Sequence, residues 1–225
     1  MFMPTATDPP IMSITNDERQ ALRTYLGNCV DNERCDFIHP LMFVLVLSGD
    51  KPAATMQPSR DEFPDHPWAP QTGLTQLCDQ LNVVAHHRRE IDWWFVAPVD
   101  GRLDLLPSSN RTERNDAWVR RLGVILGYPP RAVECFIEKA GEWTEPHELV
   151  ATGQFSPADM ADAGFIVYRH DDSVEGYEWA IRHGRRVRQR LEAVAETWDV
   201  PELTAFIDGH WTYLREAARP ETPAQ

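Results

Sequence analysis

His86, His87, Glu90 and Asp92 form the densest run of metal-ligand residue types in the chain. Imidazole nitrogens and carboxylate oxygens suit zinc, manganese or iron. On a helix running through them, His86 and Glu90 share one face, four residues apart. This set makes a metal-dependent enzyme one reading of the chain, with a divalent ion as its cofactor. Cys29, Cys35 and His39, joined by Cys78, are a second set, at a spacing that matches no close zinc motif. His170-Asp171-Asp172 is a third. The sequence contains no Gly-rich phosphate loop, no Gly-x-Ser-x-Gly elbow and no His-Glu-x-x-His, so no catalytic motif stands beside these sets.

Arginines are the other residues with chemistry to offer. Arg182, Arg186 and Arg190 recur every four residues and make one stripe on a helix, the pattern of a phosphate-binding face. The competing reading is a solvated face, with Glu178–Arg182 and Arg188–Glu192 placed for pairing within the helix. Asp171, Asp172 and Glu175 at the start of that helix suit its dipole. In so acidic a chain the solvated face is favoured.

Residues Arg120 to Ile137 read as a helix, a tight break and a second helix. Trp118, Leu122, Ile125 and Leu126 recur at helical spacing. Gly127 suits a cap with positive φ, Pro129-Pro130 ends one helix and starts the next, and Val133, Phe136 and Ile137 carry the apolar face onward. A small residue, Gly123, stands four before Gly127, while Val133 and Phe136 stand six and nine after it. This is helix-turn-helix spacing: two helices cross at the small residue, and the apolar positions make their shared core. Arg131 would then lie near the start of a recognition helix. Glu134 and Glu138 would face phosphates, which opposes binding. Over residues 118–138 a packed corner is therefore favoured over a DNA reader.

Leu126-Gly127-Tyr128-Pro129, followed by Val133 and Phe136, resembles the Leu-Gly-Tyr-Pro…Val…Phe signature of a group of uncharacterised archaeal proteins of haloarchaeal type. In that signature a cysteine often follows the Tyr-Pro closely. Here Pro130, Arg131 and Ala132 occupy those places, and the cysteine comes later, at Cys135. The resemblance spans the central helix pair alone. It implies an archaeal source and carries no activity.

The charge balance points the same way. There are 35 acidic residues against 22 basic, a net charge of −13, and only Lys51 and Lys139 are lysines. Arg-rich, Lys-poor, strongly acidic composition fits a high-GC genome and a saline cytoplasm, where salt screens self-repulsion. It argues against general affinity for nucleic acid or an anionic membrane. The N-terminal residues lack the basic and apolar regions of a secretory signal, and the longest clean apolar run, Leu41–Leu47, is too short to span a bilayer. A cytoplasmic protein with reduced thiols is expected.

Several elements must position these residues. Thr15 and Glu18 form a capping box ahead of a helix with Leu22, Tyr25 and Leu26 on one face. Residues 41–47 are expected as a buried strand, with a short buried helix as the alternative, 72–87 as a helix, 91–97 as a second strand and 165–168 as a third. Trp93 and Trp94 fall on opposite faces of their strand. Ser156-Pro157 opens a short helix. Val174 through Trp198 repeat at three- and four-residue steps as a long amphipathic helix, and Asp199-Val-Pro-Glu restarts a second one, giving a C-terminal helical hairpin.

The expected fold is α+β: a mainly helical single domain over residues 13–218, with a small sheet and a Pro-rich loop at 50–72. Residues 1–12 and 219–225 are expected as disordered tails, with Met12 a candidate start. The leading functional expectation is a cytoplasmic binding or regulatory protein without catalysis or cofactor, engaging a protein partner or a small molecule rather than nucleic acid or membrane. The rivals are the metal-dependent enzyme centred on His86, His87, Glu90 and Asp92, and a DNA-binding protein using residues 118–138 with Arg131, Arg182, Arg186 and Arg190.

Overall fold

The computed structural model describes residues 10–30, 38–56, 72–89, 93–108, 115–138 and 144–220. Ten helices and three strands are assigned among them. In chain order they are α1 (Asn16–Val30), α2 (Ile38–Leu47), β1 (Ala54–Met56), α3 (Thr72–Gln80), β2 (Val84–Arg88), β3 (Trp93–Ala97), α4 (Asp100–Leu103), α5 (Asp116–Leu126), α6 (Pro130–Glu138), α7 (Pro146–Ala151), α8 (Pro157–Ala163), α9 (Val174–Trp198) and α10 (Pro201–Ala217). The fold is α+β and mainly helical, with one small antiparallel sheet and the expected C-terminal hairpin. Among the described residues no helix is long and apolar enough to cross a membrane.

The run at 41–47 is helix, not strand. Every residue from Pro40 to Leu47 is buried, so α2 is enclosed on all sides by α1, α3, the sheet and the C-terminal hairpin. An unbroken apolar run has no period with which to declare itself. Its leucines, methionine and phenylalanine outnumber the β-branched Val44 and Val46, and leucine and methionine are good helix formers. Pro40 lies in the first turn, where its missing N–H breaks no helical hydrogen bond.

The helix expected to run to His87 ends at Gln80. Asn82 takes a left-handed φ of 50°, and the chain then enters β2. β3 lies at the centre of the sheet, antiparallel to β1 on one side and to β2 on the other. Thr55 and His86 both face Phe95 in register, and His87 faces Trp94. Period-two alternation along β3 sends Trp94 and Val96 into the core with α2, and Phe95 and Ala97 into a second cluster with Leu103, Leu122, Ile125 and Leu126. Trp93 packs on that second cluster, so the two tryptophans do diverge.

Residues 165–168 also depart from expectation. Phe165 and Val167 turn toward the first core and Ile166 toward a third, built from Leu149, Met160, Tyr177, Ala180 and Ile181. The alternation is real but serves two clusters of side chains, with no strand beside it among the described residues. α9 runs between these clusters: its N-terminal half lines the third core, and Leu191, Val194 and Trp198 line the first. Asp199, at φ 54°, turns the chain, Pro201 opens α10, and Leu203, Phe206 and Ile207 close the hairpin over the same core. Met12, assigned from sequence to a tail, donates its N–H to Ser48 O (3.3 Å) and accepts from Trp198 Nε1 (2.7 Å). Residues 1–9, 57–71 and 221–225 lie outside the described residues.

Candidate functional site

β2 places His86 and His87 at successive strand positions, so their side chains leave the sheet on opposite faces. His86 Nε2 lies 2.9 Å from Asp100 Oδ1, while His87 stacks on the Trp94 ring at 4.7 Å between centroids. The helical face expected to join His86 to Glu90 is therefore not formed, because the helix stops before it. Glu90 and Asp92 lie outside the described residues, as does Cys35. Cys29 and Cys78 are buried within the first core. Burial, reinforced by Asp79, pushes the Cys78 thiol up to about 12, far from the thiolate that ligates metals. At 170–172, Asp172 accepts from Thr144 Oγ1 (3.1 Å) and the Tyr177 hydroxyl (2.9 Å), and Asp171 accepts from Arg131. Among the described residues no group of three His, Cys, Asp or Glu side chains gathers as a metal site.

The arginines of the nucleic-acid expectation also have places. Arg131 Nη2 donates to Asp171 Oδ2 at 3.0 Å, and Arg120 holds Glu134 with two hydrogen bonds of 2.8 and 2.7 Å across the α5–α6 pair. Arg182 pairs with Glu178, and Arg188 with Glu192, as spacing foretold. Arg190 does not share a surface with Arg182 and Arg186: it turns inward and clasps both oxygens of Asp50, at 2.8 and 2.9 Å, in a largely buried pair. Arg186 is exposed.

The central pair has the expected corner. Gly127 caps α5 at φ 71°, and the N–H groups of Gly127 and Tyr128 close on Val124 O and Gly123 O. Val133 packs against Gly123, as the spacing required. Phe136, expected in the shared core, is instead 51% exposed.

A group of residues that sequence reasoning missed converges on the end of α5. After α2, Gly49 takes φ 83° and the N–H groups of Asp50 and Lys51 both bond Leu45 O at 2.9 Å, turning the chain sharply. The turn sends Asp50 to Arg190 and Lys51 to α5. Lys51 Nζ donates to Leu126 O and stands 4.5 Å above the Tyr128 ring. From α4, Arg102 donates to Ile125 O (3.0 Å) and Val124 O (3.1 Å). Aromatic contacts continue outward from there: Tyr128 to Tyr168 (5.4 Å), Tyr168 to Trp179 (6.1 Å), and Trp179 stacked on His183 (4.8 Å). All four of these rings are only partly buried.

Burial, and then the positive charge of Arg102, bring the Lys51 amine down to about 7. Burial alone raises Tyr128 to about 12. Arg120, Arg131, Arg182, Arg188 and Arg190 lie against carboxylates, but among the described residues Lys51 and Arg102 meet main-chain carbonyls and the Tyr128 ring. A helix C-terminus supplies roughly half an elementary negative charge. Two cations on one such terminus leave positive charge in excess, in a chain of net charge −13. The one signal of this in the sequence is that Lys51 is one of only two lysines.

The chain matches no protein-family model, no curated protein and no solved structure.

Proposed function

We propose that the protein is a binding protein for a small organic anion, held at the corner where Lys51 and Arg102 meet the C-terminus of α5. The observation that carries this reading is the pair of neighbouring cations that meets no carboxylate among the described residues. Partly exposed Tyr128 and Tyr168 beside them supply flat apolar surface and hydroxyls, the mixture common in small-molecule sites. A cation that must also cap a helix is pre-positioned, so little side-chain entropy is lost when an anion arrives. The acidic, lysine-poor composition supports a saline cytoplasm as the setting, where a specific anion site must outcompete abundant chloride.

The test is the melting temperature at constant ionic strength, with chloride replaced stepwise by oxalate or pyruvate. A saturable rise with either probe, lost in Lys51→Met and in Arg102→Met, supports the reading, because a ligand bound only by the folded state stabilises it by mass action. Identical curves for the probes and chloride, or a rise that survives in both variants, overturns it.

A further inference from the structure

Lysine is the exception in this chain, and the one described lysine shares the carbonyls at the end of α5 with Arg102. An arginine at 51 could cap Leu126 O as well, through a guanidinium that stays charged and is no nucleophile. A lysine offers an amine. Its Nζ is held at one point by Leu126 O, is covered on one side by the Tyr128 ring, and among the described residues faces no carboxylate that would keep it protonated. Arg102 stands beside it with Nε and Nη2 committed to carbonyls and Nη1 uncommitted among the described residues.

We propose that Lys51 is a carbonyl-reactive amine that captures an aldehyde or 2-oxo acid as an imine, with Arg102 receiving the ligand's carboxylate. This rests on the anion-site reading and adds the covalent bond to it. Burial and a neighbouring cation are the two environments that release a lysine amine at neutral pH, and both act here in the same direction.

The step balances without oxidant or reductant. The nitrogen lone pair attacks the carbonyl carbon, and the C=O π pair moves to oxygen. The oxygen then leaves as water with the two hydrogens of the neutral amine, and a C=N bond replaces C=O. Protonated, the imine keeps one N–H, which can remain on Leu126 O. The bond is reversible by water, as suits a binding protein.

The experiment uses the full chain in molar KCl at pH 7 with glyoxylate and sodium cyanoborohydride, followed by peptide mapping. Reduction converts the imine into a stable carboxymethyl-lysine. Lys139, the chain's other lysine, is the internal comparator; a lysine at its ordinary pKa has about one amine in a few thousand neutral at pH 7. The expected result is modification of Lys51 about tenfold or more ahead of Lys139 at pH 7, with the preference shrinking at pH 10 as every amine becomes neutral. Formaldehyde, which carries no anion, separates the two roles: Arg102→Met should lower labelling of Lys51 by glyoxylate relative to formaldehyde.

Glyoxylate that raises the melting temperature but leaves Lys51 no more modified than Lys139 overturns the imine and spares the anion site. Preferred labelling of Lys51 by both reagents, indifferent to Arg102→Met, keeps the reactive amine and overturns the anion site. Neither stabilisation nor preference overturns both.

Discussion

Gly123 of α5 and Val133 of α6 touch where their helices cross, so closely that a Cβ on Gly123 would fall inside the Val133 Cγ2 methyl. The contact sets how near the two helices lie. Gly123→Ala gains about 1 kcal/mol of helix propensity, but overpacking costs about 1–3 kcal/mol. Urea titration should therefore show a net loss in the wild-type background. In a Val133→Ala background the methyl is gone and the same change should turn stabilising. A Gly123→Ala effect of equal size in both backgrounds would mean that the helices cross elsewhere.

Asp162 is buried at the junction of α8, α9 and α10. Arg185 Nε donates to it at 2.8 Å and Trp211 Nε1 at 3.1 Å, with Arg188 Nε 3.2 Å away as a further ion-pair partner. Replacing it with Ala strands these donors at once. The two arginines can turn partly to solvent, so the expected loss is about 3 kcal/mol, at the lower end for a broken buried pair. A loss below about 0.5 kcal/mol, typical of surface changes, would show that the cluster contributes nothing to the junction.

Lys51 gives stability an unusual pH dependence. Its folded-state pKa is depressed to about 7, so between pH 7 and its ordinary value the unfolded chain binds more protons than the folded one. Stability contributed by this residue is therefore missing below pH 7 and grows as pH rises. Tyr128, raised to about 12, works in the opposite sense only above pH 10, so the useful window closes near pH 9.5. Wild-type stability should rise relative to Lys51→Met between about pH 7 and 9.5 in guanidinium titrations. Parallel profiles would mean that Lys51 stays charged when buried.

Salt should stabilise the fold. A net charge of −13 repels itself, and screening relieves that repulsion as KCl rises from dilute to molar concentration. The largely buried Arg190–Asp50 pair is screened much less than surface charges, so its loss offsets little of the gain. Scanning calorimetry should show the melting temperature rising across the range; a flat or falling trend would remove the argument for a saline setting.

Local signals in the sequence were dependable where the chemistry is local. Thr15 with Glu18 forms its capping box, Ser156 with Asp159 forms another, and Gly127 takes the left-handed conformation its position demanded. Of the stripe expected from Val174 to Trp198, Val174 is exposed and Val187 only partly buried, but Tyr177, Ile181, Gly184, Leu191, Val194 and Trp198 are buried as the spacing required. Leu41–Leu47 took the alternative, a buried helix, because a helix sealed on all sides needs no polar face and so shows no period. The helix expected over 72–87 overran because Val84 continues the three- and four-residue spacing of Leu74, Leu77 and Leu81 while in fact opening β2. Phe165–Tyr168 failed because alternation reports two destinations for side chains, whether or not a neighbouring strand exists.

The Lys51 corner was invisible for a different reason. Its members come from the turn after α2, from α4, from the α5–α6 turn, from the segment before α9 and from α9 itself. None sits at a spacing from another that a motif could capture. Only the scarcity of lysine marked the position.

α9 is a single rod with each end buried in a different cluster, Tyr177 and Ile181 in one and Leu191 and Val194 in the other. Loosening either cluster frays the rod and weakens its grip on the other, so damage at one end is felt at the far end. The Phe95–Leu122 cluster has no such rod through it. Besides the sheet, single contacts fasten it to the remainder, Lys51 on the end of α5, Tyr128 on Tyr168 and Arg131 on Asp171, so it is the part expected to open on its own. Amide hydrogens there should exchange by small local openings, while those at the middle of α9 wait for the whole protein to unfold. The corner that would meet a ligand thus lies on the seam between the stiff part of the molecule and the soft part.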